Sequence, residues 1–431
     1  MTAVADPTQQ DTAAHCRALA EAARAAGHAM ATASGADRNA ALHAIAAAIR
    51  GDAAKLKEAN RKDLNAAAAS GLSDAMTDRL RLTGPRIEGI AASIDAIAGQ
   101  PDPVGRILDG RVLDNGIRLS KVRVPLGVVF IVFESRPNVT ADAAALCLKS
   151  GNAAILRGGK EARHSNRAIH ACVAAGLEAA GLPAAAVQLV GTTDRAAVSE
   201  LLKLDDLLDV CIPRGGESLI RAVVEQSRIP VIKHYTGNCH VYVDASADPA
   251  MAEAICLNAK THRTGVCNAA ETILFHEDTV KSGLAARVAS ALLDAGVELH
   301  AGQRLLDSTP VHPQLRPATA ADWAEEYLSM KCAVEVVDSL DAATDHINRW
   351  GSRHTDAIVT SDLAAADRFV ARVDTANAMV NCSTRFSDGQ QYGLGAEIGI
   401  STDKLHARGP MGAEDLTTYQ WVARGDGQVR V

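Results

Sequence analysis

The chain has 431 residues, 48% of them hydrophobic and 22% charged, enough to bury the cores of about two or three domains and too much for a disordered polymer. A net charge of −7 and an aromatic content of 3% exclude a polyanion-binding surface and extended stacking platforms, so no nucleic-acid partner is expected. The nine cysteines, an odd number without a CxxC pair, exclude a disulfide scaffold, and no apolar run reaches the ~18 residues of a membrane span. The polar, acidic stretch 1–11 is unlike a secretory leader, so a reduced, cytoplasmic protein is expected.

Residues 10–98 are rich in Ala, with Leu42, Ile45 and Ile49 at helical spacing, which predicts three or four amphipathic scaffold helices. Gly84-Pro85 marks a turn or helix start, and Gly99, Pro101 and Pro103 end the helical region. Across 111–124, apolar residues alternate around Asn115-Gly116, a pair favoured in tight hairpins; the expected ribbon is either an arm for subunit contact or a plain surface hairpin. From Gly127 onward, apolar segments at 128–133, 153–156, 187–190 and 207–212 alternate with helical stretches at 138–149, 162–180, 194–203 and 215–227. Continuous apolar strands separated by helices predict a parallel sheet covered on both faces. A second alternation places helices at 248–261, 279–295, 341–349 and 362–373, and strands at 270–275, 333–337, 356–360 and 377–381. The fold class is therefore α/β, two doubly wound domains plus a ribbon, with an irregular Gly-rich tail after 389 expected to close an interface.

No Gly-x-Gly-x-x-Gly follows a strand, so the common dinucleotide fingerprint is absent. Instead, Arg157-Gly158-Gly159-Lys160 stands at a strand's carboxyl end, where ligands bind in open α/β sheets. Two cations beside two small residues suit a phosphate; the alternative is an ordinary solvated loop. The segment Lys260-Thr-His-Arg-Thr-Gly-Val-Cys267 places a cysteine in a Gly-containing loop after a helix, with Lys260, His262 and Arg263 upstream. Positive neighbours favour the thiolate, the nucleophilic form, so Cys267 is either a catalytic nucleophile or an inert thiol, while the other cysteines read as small core residues. His234, His240 and His262 with Cys239 and Cys267 follow no ligand spacing, so no metal is expected.

Phe133-Glu-Ser-Arg-Pro-Asn-Val-Thr140, Lys149-Ser-Gly-Asn-Ala-Ala-Ile-Leu-Arg-Gly-Gly-Lys-Glu161, Lys260–Cys267-Asn268, His346-Ile-x-x-x-Gly-Ser-x-His-Thr-Asp356 and Asn381-Cys-Ser-Thr-Arg-Phe-Ser-Asp-Gly389 occur in this order. Together they resemble the γ-glutamyl phosphate reductase family of the aldehyde dehydrogenase superfamily, and the similarity runs from about residue 12 to the end. The resemblance implies an NADP-binding domain at 1–110 and 125–249 and a catalytic domain at 250–390. It also implies an oligomerisation hairpin with a C-terminal segment at 111–124 and 391–431. It implies reduction of L-glutamyl 5-phosphate by NADPH to glutamate 5-semialdehyde in proline biosynthesis, without a metal, in a homo-oligomer that contacts glutamate 5-kinase transiently.

Carried over residue by residue, the resemblance makes Cys267 the nucleophile and Asn138 the oxyanion donor. Arg157, Gly158, Gly159 and Lys160 fall on the cofactor's ribose and phosphate, where Lys160 in place of an acid favours NADPH over NADH. Glu326 matches the glutamate that holds the nicotinamide ribose, although Ser329-Met330 replaces the usual Gly-Pro. Arg136, Lys260, Arg263, Ser383, Thr384 and Arg385 are the implied substrate ligands. His234, in Lys233-His-Tyr-Thr-Gly-Asn238, stands at or near the glutamate that activates water in aldehyde-oxidising relatives. Its replacement implies slow hydrolysis of a thioester.

Overall fold

The computed structural model describes residues 9–430, so most of the polar N-terminal stretch discussed above lies outside the described residues. Five helices open the chain (Gln9–Thr32, Gly35–Gly51, Ala53–Ala69, Asp74–Leu80 and Gly84–Ala98), more than the periodicity predicts. The excess comes from capping. Ser34, Ser73 and Thr83 accept the backbone N–H of Asp37, Met76 and Arg86, so each short polar break restarts a helix. Gly84-Pro85 is such a start, with proline in the first turn, where its missing N–H costs nothing.

The chain divides into two compact units: the described parts of Met1–Lys233, Gly393–Gly399 and Met411–Val431, and His234–Tyr392 with Ile400–Pro410. The boundary expected at 249/250 therefore moves to 233/234. The ribbon and the end of the tail belong to the first unit rather than standing apart.

In the first unit the ribbon consists of β1 (Ile107–Val112) and β2 (Arg118–Pro125), longer than the expected 111–124, with Gly116 at φ 85° in its turn. A parallel sheet follows from β3 (Val128–Phe133), β4 (Ala153–Arg157), β5 (Val187–Leu189) and β6 (Val210–Arg214), in the order β5-β4-β3-β6. Val128, Phe130, Val132, Ile155 and Cys211 point into one core with Leu19 and Ala23 of the first helix. Strand order reverses between β3 and β6, which opens a crevice at their carboxyl ends.

The second unit holds seven parallel strands: β7 (Cys239–Val243), β8 (Ala270–His276), β9 (Glu298–Ala301), β10 (Leu315–Pro317), β11 (Lys331–Val337), β12 (Thr355–Val359) and β13 (Asn377–Val380), in the order β10-β9-β11-β8-β7-β12-β13. The fully buried β7 pairs with β8 and β12, and this places residues 239–249 in the second unit rather than the first. The expected helix 279–295 is two, Glu277–Lys281 and Leu284–Asp294, broken at Gly283. A short ladder, β14 (Gly399–Ser401) with β15 (Gly409–Met411), follows, and β16 (Thr417–Arg424) pairs antiparallel with β2. Among the described residues no helix is long and apolar enough to cross a membrane.

Candidate active site

The first unit carries a cleft of ≈ 630 Å³ at the carboxyl ends of its four parallel strands. Its walls include Glu134 and Ser135 after β3, Arg157, Gly159 and Lys160 at and after β4, and Arg195 beyond β5. Arg157 donates from Nη2 to the Thr193 carbonyl (2.8 Å), while its buried Nε has no hydrogen-bond partner. Burial pulls the Arg157 pKa down, with Glu161 opposing, yet a guanidinium stays charged. An orphaned cationic donor in a strand-end crevice fits a phosphate-bearing cofactor. Lys160 is exposed and opens the 3₁₀ turn Lys160–Ala162.

The carboxylates in this cleft are engaged. Glu161 Oε1 accepts from Ser135 N (2.6 Å) and Oγ (2.9 Å), and Glu134 Oε2 accepts from Gly216 N (3.0 Å). Ser135 has φ 46°, a left-handed conformation costly outside glycine, and the Glu161 clamp holds it there. The strained turn leads into exposed Arg136 and the helix Asn138–Lys149. Asn138 Nδ2 donates to Asp142 Oδ2 (2.8 Å), which orients the amide, and burial pushes the Asp142 carboxyl up to about 6. Arg195 was missed in the sequence, although its position beyond a strand end was the available signal.

In the second unit, Cys267 lies between the helix Pro249–Thr261 and β8, at the amino end of the sheet. It and Cys382 are half-buried, whereas the other seven cysteines are buried. Burial raises Cys16 and Cys172 to about 11 and Cys332 to about 12, as expected of core thiols. Three contacts fix the Cys267 loop. Cys239 Sγ donates to the Cys267 carbonyl (3.1 Å), and Asn268 Nδ2 donates to the Ser387 carbonyl (2.8 Å). Gly237 packs so closely that a Cβ there would lie 2.0 Å from the Cys267 carbonyl oxygen. Gly237 N in turn donates to Glu326 Oε1 (2.8 Å), so Glu326 braces the wall of this loop.

Two imidazoles, in edge contact with each other at 5.5 Å between ring centres, lie close to the thiol. One ligand atom from each of His234, Cys267 and His354 lies within 4.8 Å of the others. His234 Nδ1 bonds the Ile400 carbonyl (2.9 Å), and His354 Nδ1 bonds Thr355 Oγ1 (2.8 Å). Because Thr355 Oγ1 donates onward to Ser387 Oγ (2.8 Å), its oxygen accepts from His354. The network therefore assigns Nδ1–H to both rings and the lone pair to Nε2. His354 lies in the motif His346–Asp356 but carries no assigned role in the sequence reading, since 87 residues separate it from Cys267 and the β7–β12 pairing brings it near.

Arg385 Nε donates to His262 Nδ1 (3.4 Å), and burial lowers the Arg385 pKa, with Asp388 chiefly opposing, Arg263 acting in the same direction as burial and Cys267 adding to the opposition. Arg385 thus feels the charges of both Arg263 and Cys267. Ser383 caps the turn that carries Arg385 by accepting its N–H (3.3 Å). Two expected ligands are corrected. Lys260 is fully buried, 2.5 Å from Glu271 Oε2, and Thr384 is fully buried, so as placed neither touches a solvent-borne substrate. Burial drives Glu271 up to about 7 against the opposing pull of Lys260.

The second unit thus groups a half-buried thiol with two imidazoles, and the first unit carries a phosphate-fitting crevice. The chain belongs to the aldehyde dehydrogenase family, whose model matches residues 2–331. It is 53% identical to a γ-glutamyl phosphate reductase of Rhodopirellula baltica, over 97% of this chain and 96% of that one. The crystal structure of γ-glutamyl phosphate reductase from Thermotoga maritima matches with a TM-score of 0.93 at 39% identity, covering 96% of this chain and 100% of that one. An acetylating aldehyde dehydrogenase from Geobacillus thermoglucosidasius shares the fold, with a TM-score of 0.71 at 18% identity, covering 99% and 100%.

Proposed function

We propose that the protein reduces L-glutamyl 5-phosphate to L-glutamate 5-semialdehyde and phosphate with NADPH, through a thioester on Cys267. The observation that carries this reading is the half-buried Cys267, its loop held by Cys239 and Asn268 and its ligand atom grouped within 4.8 Å with those of His234 and His354. The likeness to the two γ-glutamyl phosphate reductases supports the substrate.

An imidazole takes the Cys267 proton, and the sulfur attacks the γ-carbonyl. Asn138 donates to the developing oxyanion, its amide already oriented by Asp142. Phosphate leaves and the thioacyl enzyme remains. Arg136, Arg263 and Arg385 are the groups we assign to the phosphate and the α-carboxylate. Arg157, Lys160 and the Gly158-Gly159 turn would hold the cofactor's phosphate, with Glu326 on the nicotinamide ribose, and NADPH bound there would supply the hydride. Collapse of the resulting thiohemiacetal frees the aldehyde and returns the proton to the thiol. The ribbon with β16 is the surface we assign to homo-oligomer contact, and a cytoplasmic setting with a transient kinase contact suits so labile an acyl phosphate.

The second reading is an aldehyde oxidiser with hydrolytic release. His234 is itself a base beside Cys267, so the replaced glutamate alone does not bar water. The deciding experiment runs the reaction backward with semialdehyde and NADP⁺. NADPH should form over many turnovers only when phosphate is present. Sustained turnover in phosphate-free, arsenate-free buffer would favour the oxidiser and overturn the reductase.

A further inference from the structure

The two imidazoles beside Cys267 have a second capacity that the reaction does not use. A zinc ion bonds thiolate sulfur at about 2.3 Å and imidazole nitrogen at about 2.0–2.1 Å, which sets tetrahedral ligand atoms roughly 3.5 Å apart. The corresponding atoms of His234, Cys267 and His354 already lie within 4.8 Å of one another, so closure by about 1 Å completes a trigonal set. His234 and Cys267 are half-buried, so side-chain rotation suffices for that adjustment while their backbones stay anchored, and His354 is held in the interior.

The tautomers are also those of a ligand site. Metal-bound histidines donate their other N–H to a carbonyl, carboxylate or hydroxyl, which fixes the ring and raises its basicity. Here His234 Nδ1–H is given to the Ile400 carbonyl and His354 Nδ1–H to Thr355 Oγ1, so in each ring Nε2 is the nitrogen of acceptor type. Three protein ligands leave a fourth position for water, and the set mixes soft sulfur with nitrogen, which selects zinc over magnesium or calcium.

We propose that His234, Cys267 and His354 form a reversible zinc site that switches the enzyme off by occupying its nucleophile. As the zinc–sulfur bond forms, the thiol proton passes to solvent, and no electrons move. The sulfur lone pair then serves the metal and is withdrawn from the acyl phosphate. The ion is an inhibitor, not a resident cofactor. Only the activity consequence rests on reading Cys267 as the nucleophile.

Cobalt(II) added to the metal-free full-length protein tests binding without any assay of catalysis. The expected result is one ion per chain with a near-ultraviolet thiolate-to-cobalt charge-transfer band, absent in Cys267→Ser and displaced by zinc. Zinc should also protect Cys267, located by peptide mass, from iodoacetamide in the unmodified protein, a readout independent of any variant's folding. In the reverse assay zinc should inhibit reversibly, with EDTA restoring activity. His234→Ala should weaken inhibition by roughly tenfold or more relative to its own uninhibited rate. Cobalt binding without the band, a band that survives Cys267→Ser, or no protection by zinc overturns the proposal. If the charge-transfer band appears but reductase activity does not, the zinc site stands and the catalytic reading fails.

Discussion

Replacing Gly237 by alanine puts a methyl group into space that the Cys267 backbone occupies. The new Cβ would stand 2.0 Å from the Cys267 carbonyl oxygen and 2.4 Å from its Cα. Ordinary carbon–carbon contact is about 3.5–4.0 Å, so the loop must retreat by about 1 Å or more. No flexible side-chain end can yield instead, because the atoms met are main-chain atoms anchored by Cys239 and Asn268. Overpacking of this kind costs about 1–3 kcal/mol of stability. The larger effect falls on chemistry, since an ångström of misplacement at a reacting atom costs about 10²-fold in rate, or roughly 2.7 kcal/mol of barrier. Gly237→Ala should therefore fold, melt somewhat lower, and lose about two orders of magnitude in kcat/KM for phosphate-dependent semialdehyde oxidation. Its Cys267 should also react with iodoacetamide at a changed rate. Wild-type kcat/KM in a folded variant would refute the argument that Gly237 sets the position of the nucleophile.

Three further outcomes follow from the geometry. Cys267→Ala should retain its fold and cofactor affinity, measured by fluorescence titration, while turnover falls by several orders of magnitude; a residual rate above about a tenth ends the covalent mechanism. Lys160→Glu should weaken NADPH binding by about 1.5–3 kcal/mol and leave NADH nearly unchanged, so parallel losses in kinetic titrations would show that Lys160 does not read the extra phosphate. Lys260→Met leaves Glu271 buried without its cation, and urea unfolding should show a loss of about 3–5 kcal/mol near neutral pH. The pH trend has a definite sign. The Glu271 folded pKa, already raised to about 7, rises further without Lys260, so the native state holds a proton that the unfolded chain has released. Stability then falls as pH climbs from the ordinary glutamate range through that raised value, and a deficit that shrinks on raising pH from 6 to 8 contradicts this account.

Much of this was readable because the signals are local. Alternating apolar segments and helical stretches identify parallel sheets, Asn115-Gly116 identifies the ribbon, and Cys267 stands out by its glycine-containing, basic loop. The failures share a different cause. β7 carries His240 at a fully buried position, tolerated because its N–H groups face Asp356 on β12, and no periodicity reports a partner 116 residues away. Lys260 reads as a substrate cation because the sequence does not reveal that Glu271 meets it in the interior. His354 and Gly237 reach Cys267 through strand pairing, at the amino ends of strands, where the general rule for ligand sites in open sheets does not look.

The pairing of β16 with β2 also has a consequence in time. Thr417 lies opposite Pro125, about 290 residues earlier in the chain, along a ladder that runs to Arg424 opposite Arg118. A ribosome adding about 5–20 residues each second delivers the first strand some 15–60 s before the strand that covers it. Throughout that interval the nascent chain displays an open ribbon edge, the surface on which strands of other chains add. The strand that closes the ladder is thus made long after the one it covers. The hazard passes when Tyr419 and Trp421 settle around Lys121, whose ammonium lies 3.6 Å from the tyrosine ring centre.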